Sequence, residues 1–315
     1  MTSLPPLVAI VGPTASGKSS LGIFLAKEFS GEVMACDSTQ LYRGFDIGTA
    51  KPSAQQRQEV PHHLLDVLEP TEAATAGGYR ERALAVLARL RARQCLPILT
   101  VGTGLYWRAL LEGLADLPQR CEEIRERLRG SAARHGAGHL HKILEHLDPR
   151  AATQIAAADQ QKLIRAIEIC LLLGKPLSEV HRAGRTPLTG WRILKLGLEP
   201  PREALYVRIQ ERTESMLRAG WLDEVRRLVA SGFRDNAKAF DFIGYGELRS
   251  HLRGELTLDA ARAAIQQGTR QYAKRQLTWF RREAHVHWLP GFGDDSHIQT
   301  AAREWLRSQS ASNRP

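Results

Sequence analysis

Eight residues near the start of the chain, Gly12-Pro13-Thr14-Ala15-Ser16-Gly17-Lys18-Ser19, have the form GxxxxGK[ST]. That spacing suits a di- or triphosphate. Glycines let the backbone curl until its N–H groups converge on phosphate oxygens, and the helix expected next adds N–H groups and the positive end of its dipole. Lys18 supplies a mobile cation, and the Ser19 hydroxyl can ligate Mg²⁺. Such a loop recognises phosphate and nothing beyond it. Nucleotide hydrolases and kinases usually add a strand ending in a carboxylate that helps place the metal. Here the apolar run 97–101 ends in Val101-Gly102-Thr103-Gly104, without an acid. The early run that does end in an acid is 32–36, at Asp37, which can serve as a base or as a metal partner. On position alone, a turn or helix-cap aspartate is an equally good account of it.

Other segments carry chemistry-bearing residues. Asp37-Ser38-Thr39-Gln40 is followed by Gly48-Thr49-Ala50-Lys51-Pro52 and Pro61-His62-His63-Leu64-Leu65-Asp66. His62 and His63 are adjacent, so their side chains point apart, and a structural or phosphate-contacting role fits better than a metal site. Gln161, Lys162 and Arg165 fall on neighbouring turns of a helical segment. Between 269 and 282 the chain carries Arg270, Lys274, Arg275, Arg281 and Arg282 with no acid, interleaved with Tyr272, Trp279 and Phe280. Cations for phosphates and rings for splayed bases suit an RNA loop. Trp279 and Phe280 fit a core role better, and the basic face fits phosphate.

These residues must be positioned by regular elements. Runs 7–12, 32–36 and 97–101 read as buried strands, alternating with helices over 18–29 and 79–94. That alternation predicts a parallel sheet. In such sheets ligands bind at the carboxyl ends of the strands, so the phosphate loop, Asp37 and Thr103 should open onto one edge. Residues 122–182 read as helices only, with breaks at 135–139, Asp148-Pro149 and Gly174-Lys175-Pro176. One more strand is expected at 193–199, then helices over 202–230, 245–253 and 257–283, and a polar, peripheral tail in the last twenty residues. The architecture expected is a P-loop α/β core, 1–118 and 191–315, interrupted by an all-helical insertion, 119–190, and completed by C-terminal helices.

Charge follows the same division. The chain of 315 residues has a formal charge of +10, yet residues 1–118 are net neutral. The excess lies in 119–192 and 193–315, +5 in each; a phosphate-rich partner is the natural candidate for it, and on charge alone a solubility surface accounts for it equally well. No apolar run approaches the roughly 18 residues of a membrane span. The N-terminus lacks the basic region of a signal peptide. The four cysteines form no CxxC pair. A cytosolic protein with reduced thiols is expected.

The ordered set GPTASGKS, DSTQLYRGFDIGTAKP, PHHLLD, GTGLY, DQQKLIRAIEI, GKPLSE, FIGYGEL and TRQYAKRQLTWFR resembles the tRNA dimethylallyltransferase (tRNA isopentenyltransferase) family. The resemblance implies transfer of a dimethylallyl group from its diphosphate to N6 of the adenosine 3′ of the anticodon, with Mg²⁺ required and pyrophosphate released. It implies that Gly12 to Ser19 hold the diphosphate, that Thr14, Lys18 and Ser19 take part in catalysis with Ser19 on the metal, and that Asp37 removes the N6 proton. It implies tRNA contact by Asp37, Ser38, Thr39, Gln40, Thr103 and Arg125. The same holds for Gln161, Lys162, Leu163, Ile164 and Arg165, for Phe242, Ile243, Gly244, Tyr245, Gly246 and Glu247, and for Arg270, Lys274 and Arg275. The insertion would clasp the anticodon stem-loop, and nothing demands more than a monomer. Departures from the family pattern are Val101 and Gly246, where a glycine and an arginine are usual, and Lys162 in place of an arginine. Three other readings stand beside this one: a prenyltransferase acting on free adenylate, a small-molecule P-loop kinase, and a non-catalytic RNA-binding protein.

Overall fold

The computed structural model describes residues 4–115, 117–182, 185–232 and 238–311. It opens with β1 (Pro6–Val11), α1 (Lys18–Glu28), β2 (Gly31–Cys36), α2 (Ala54–Glu59), β3 (His62–His63), α3 (Ala76–Ala92), β4 (Leu96–Val101) and α4 (Gly104–Glu112). A helical run follows: α5 (Glu122–His135), α6 (Ala137–Leu147), α7 (Pro149–Gln154), α8 (Gln160–Leu173) and α9 (Leu177–Arg182). The chain then forms β5 (Arg192–Leu198), α10 (Arg202–Arg218), α11 (Trp221–Ala230), a 3₁₀ turn (Lys238–Asp241), α12 (Tyr245–Leu252), α13 (Leu258–Phe280), β6 (Val286–Leu289) and α14 (Ser296–Ala311).

The six strands form one parallel sheet in the order β3-β2-β4-β1-β5-β6. Strands β1 and β2 are buried along nearly their whole length, as a sheet covered by helices on both sides requires. Leu21 and Leu25 of α1 pack with Val8, Ile10, Leu196 and Leu198 of the sheet. Ile298, Ala302 and Leu306 of α14 join the same cluster. This corrects the expectation of a peripheral tail. Its apolar residues recur every four positions and form a buried stripe, diluted in the sequence by the polar residues between them. Residues 312–315 of that tail lie outside the described residues.

The helix expected over 202–230 is two helices. Gly220 sits at φ 94, in the left-handed region that only glycine enters without cost, and it turns the chain between α10 and α11. The two short strands β3 and β6 also went unforeseen. Each is only two to four residues long and extends an edge of the sheet. The expected breaks in the helical run are observed. Asp148 caps α7 through the Ala151 N–H with Pro149 in the first turn, and Gly174 ends α8 at φ 63.

By contacts the chain divides into two compact units, Leu111 to Leu188 and the remainder. The helical unit has its own core around Leu128, Leu140, Leu144, Leu163, Ile164 and Ile167.

Candidate active site

The phosphate loop leaves the C-terminal end of β1, near the middle of the sheet, and runs straight into α1. Ala15 is held at φ 65, a strained conformation for a residue with a side chain. Its packing with Leu205, Ile209 and Ala273 explains why the strain persists. The Lys18 ammonium donates to the carbonyls of Gly12 (2.9 Å) and Pro13 (2.7 Å). Burial pulls the Lys18 pKa down to about 7, Asp37 opposes the fall, and Arg212 adds to it. The Ser16 hydroxyl is fully buried and makes no hydrogen bond among the described residues. A buried hydroxyl without a partner is costly, and in a ring of N–H groups it suits phosphate oxygens.

Asp37 follows β2, whose last carbonyl, that of Cys36, accepts from the N–H groups of Gly102 (3.0 Å) and Thr103 (2.9 Å). The turn after β4 is thereby fixed beside Asp37. Asp37 Oδ1 accepts from the Thr39 N–H (2.9 Å) and the Thr39 hydroxyl (2.7 Å). Oδ2 faces Gly102 so closely that a Cβ there would lie 2.2 Å from it. Thr103 Oγ1 accepts from the Ser38 N–H at 3.0 Å. Gln276, on α13, joins the two halves of the site. Its Oε1 accepts from the Thr14 N–H (2.7 Å), and its Nε2 donates to the Gly102 carbonyl (2.7 Å), which the Tyr272 hydroxyl also reaches (3.0 Å).

Thr14 and Asp37 line one cavity of about 320 Å³. Arg212 enters it from α10, with a pKa lowered by burial and by the charge of Arg208 against the pull of Asp37. Lys18 and Arg212 are thus two desolvated cations that a multiply charged anion would stabilise. Ile209, Met216, Trp221, Phe242 and Ile265 give the same cavity an apolar wall. Gly48 and Thr49 complete it, and their loop is held by a buried acid on α11. Glu224 accepts from the N–H groups of Asp46 (3.0 Å), Ile47 (2.8 Å) and Gly48 (3.3 Å) and from the Tyr245 hydroxyl (2.7 Å). Gln40 braces the other side of the loop by donating to the carbonyls of Thr49 and Ala50.

The structure brings together Thr14, Asp37, Ser38, Thr39, Phe242, Ile243 and Arg275 around that cavity. Others do not line it. In the helical unit the Leu163 and Ile164 side chains lie in the core, and Gln161 and Lys162 on the same helix are exposed. Arg125 is nearly buried and pairs with Glu168 (3.2 Å), which also holds Arg165 (2.7 Å) and the Cys121 N–H (2.7 Å). Tyr245 is fully buried, with its hydroxyl on Glu224. Glu247 folds back onto the N–H of Gly244 (2.7 Å) and caps α12. The Gly246 backbone lies against the Phe240 carbonyl, which a Cβ would meet at 3.1 Å. On α13, Lys274 and Arg275 are exposed and Arg270 is half-buried over the Tyr206 ring. His62 bonds the Val60 carbonyl and His63 pairs with Glu32, and neither lines the cavity. Among the described residues no cluster of three His, Cys, Asp or Glu side chains could hold a metal.

Arg212, Trp221, Glu224 and the bridging role of Gln276 are absent from the sequence reading. Arg212 stands among Glu211, Thr213 and Glu214 on a charged helix, where its spacing resembles that of a solvated face. The available signal was Trp221 and Glu224, a large ring and an acid three residues apart, directly after Gly220.

Comparison with known proteins agrees with this geometry. Residues 40–283 match the profile of the IPP transferase family, and residues 5–67 match that of isopentenyl transferases. A tRNA dimethylallyltransferase of Koribacter versatilis is 50% identical over 304 residues, 96% of this chain and 99% of the relative. One of Solibacter usitatus is 48% identical over 95% of this chain and 97% of the relative. The crystal structure of the tRNA isopentenylpyrophosphate transferase from Bacillus halodurans superposes with a TM-score of 0.70 at 36% identity, covering 98% of each chain. A eukaryotic dimethylallyltransferase acting on tRNA superposes with a TM-score of 0.83 at 26% identity, over 98% of this chain and 80% of that one. Similarity of this extent means that the chain belongs to the IPP transferase family.

Proposed function

We propose that the protein transfers a dimethylallyl group from dimethylallyl diphosphate to N6 of the adenosine 3′ of the anticodon in tRNA, releasing diphosphate. The observation that carries this reading is one cavity lined by Thr14 of the phosphate loop, the pinned Asp37 carboxylate and apolar side chains. Residues 12–19 hold the diphosphate. As the allylic C1–O bond breaks, its electron pair passes to the departing diphosphate, whose growing charge Lys18, Arg212 and the loop N–H groups stabilise. The N6–C1 bond forms, and Asp37 takes the proton that N6 loses. Thr39 keeps the carboxylate oriented through its two hydrogen bonds to Oδ1. The adenine reaches the cavity by leaving its stack in the anticodon loop.

Mg²⁺ suits this donor set. The described residues offer no cage of protein carboxylates, so Ser19 would be the side chain that holds Mg²⁺ beside the diphosphate, where the cation would supply neutralisation of leaving-group charge. The excess of positive charge outside residues 1–118, including Lys162, Lys274 and Arg275, serves the tRNA backbone. The protein acts as a monomer in the cytoplasm, where tRNA is found. No helix among the described residues is long and apolar enough to cross a membrane.

The test is a transfer assay with radiolabelled dimethylallyl diphosphate, Mg²⁺ and unmodified tRNA, with ATP and adenosine monophosphate as parallel substrates. Label at the adenosine beside the anticodon, lost in Asp37→Ala with tRNA binding retained, is the expected result. Label only in the free nucleotide, or ATP turnover without prenyl transfer, would refute the reading.

A further inference from the structure

The cavity that carries the transfer also limits its donor, an inference that rests on the proposed function. We propose that Trp221 sets the chain length of the allylic diphosphate and confines it to one five-carbon unit. Trp221 is 2% exposed and opens α11 immediately after Gly220. Its indole is wedged between two glycines: a Cβ at Gly48 would lie 2.1 Å from Nε1, and one at Gly244 would lie 2.0 Å from the six-membered ring. Tyr245 meets it edge-on at 5.8 Å and is itself locked by Glu224. The ring therefore cannot retreat from the cavity it lines.

Chemistry decides which ligand part faces this wall. Thr14, Asp37 and Arg212 supply the polar groups that leaving group and nucleophile require. Met216, Ile209 and Ile265, which line the same cavity as Trp221, offer no hydrogen-bond donor and no strong acceptor in their side chains. A purine edge set against them would lose its bonds to water without replacement, whereas an alkyl chain loses nothing. At about 320 Å³ the cavity lies near the lower end of small-molecule sites, roughly 300–1,000 Å³. A second isoprene unit needs the space that the indole fills. Geranyl diphosphate would react through the same bonds, C1–O broken and N6–C1 formed with the N6 proton on Asp37, so its exclusion is steric.

The experiment measures kcat/KM for dimethylallyl and geranyl diphosphate with unmodified tRNA, in the full-length wild type, Trp221→Ala and Trp221→Leu. The leucine variant keeps an apolar filler in case the alanine variant fails to fold. The geranyl-to-dimethylallyl ratio should rise at least about tenfold in Trp221→Ala and by less in Trp221→Leu. An unchanged ratio in folded variants that still transfer dimethylallyl overturns the inference. So does a rise in KM for tRNA with the ratio unmoved, which would turn the wall toward the base. A wild type that transfers neither donor to tRNA removes the proposed function, and the chain-length inference with it.

Discussion

Alanine at position 102 would place a methyl carbon 2.2 Å from Asp37 Oδ2 and 3.1 Å from its carboxyl carbon. Normal contact requires about 1 Å more, so the carboxylate must retreat by roughly that distance. It is not free to do so at no cost, because Oδ1 is pinned by the Thr39 N–H at 2.9 Å and the Thr39 hydroxyl at 2.7 Å. Losing one such bond to a charged group costs about 1.5–3 kcal/mol. Gly102 itself needs no left-handed backbone, and its carbonyl keeps Gln276 and Tyr272, so the fold should survive. A misplacement of about 1 Å in a reacting group lowers turnover by about a hundredfold. Gly102→Ala should therefore reduce kcat for dimethylallyl transfer to tRNA about a hundredfold. KM for dimethylallyl diphosphate should stay close to wild type, and Tm should fall by only a few degrees. Steady-state transfer kinetics and a thermal melt by circular dichroism test this. A kcat within about threefold of wild type would show that Oδ2 at this position does not matter to the reaction.

Gln276→Leu removes the bridge between the Thr14 N–H and the Gly102 carbonyl. The orphaned Thr14 donor should cost about 1–3 kcal/mol, read as a lower Tm, and KM for dimethylallyl diphosphate should rise. Charge reversal at Arg270 and Lys274 should weaken tRNA binding and flatten its dependence on salt, measured by filter binding across ionic strength. Equal affinity would make that face merely solvated. Glu168 gives the pH dependence. Burial alone would raise its pKa, but Arg165, the Cys121 N–H and Arg125 outweigh burial and hold it below its ordinary 4.5. The folded state then binds fewer protons than the unfolded one, so the stabilisation is complete above pH 4.5 and disappears as pH falls through the lower folded value. Urea unfolding of wild type and Glu168→Gln should differ at pH 7 by about 3–5 kcal/mol and converge in acid. A constant difference down to pH 3 would contradict this.

The sequence by itself determined the phosphate loop, because a GxxxxGK[ST] run between a strand and a helix has few other uses. It determined the parallel core and the helical breaks for the same local reason. Buried strands, caps such as Asp148 and stops such as Gly174 act through neighbours in the chain. Asp37 was legible as an acid at a strand end, but its role was not, since Thr39, Gly102 and the cavity around it give it direction. Only the tertiary structure decided that Arg212 shares a cavity with Asp37, that Gln276 reaches back 262 residues to Thr14 and ties it to Gly102, and that Trp221 is wedged between Gly48 and Gly244. It also moved Leu163 and Ile164 into a core and the polar-looking tail onto the sheet. The physical reason is common to all of these. A charged helix with one inward arginine, or a glutamine with two partners, has the same local pattern as a solvated one, and burial is decided by what the fold brings opposite it.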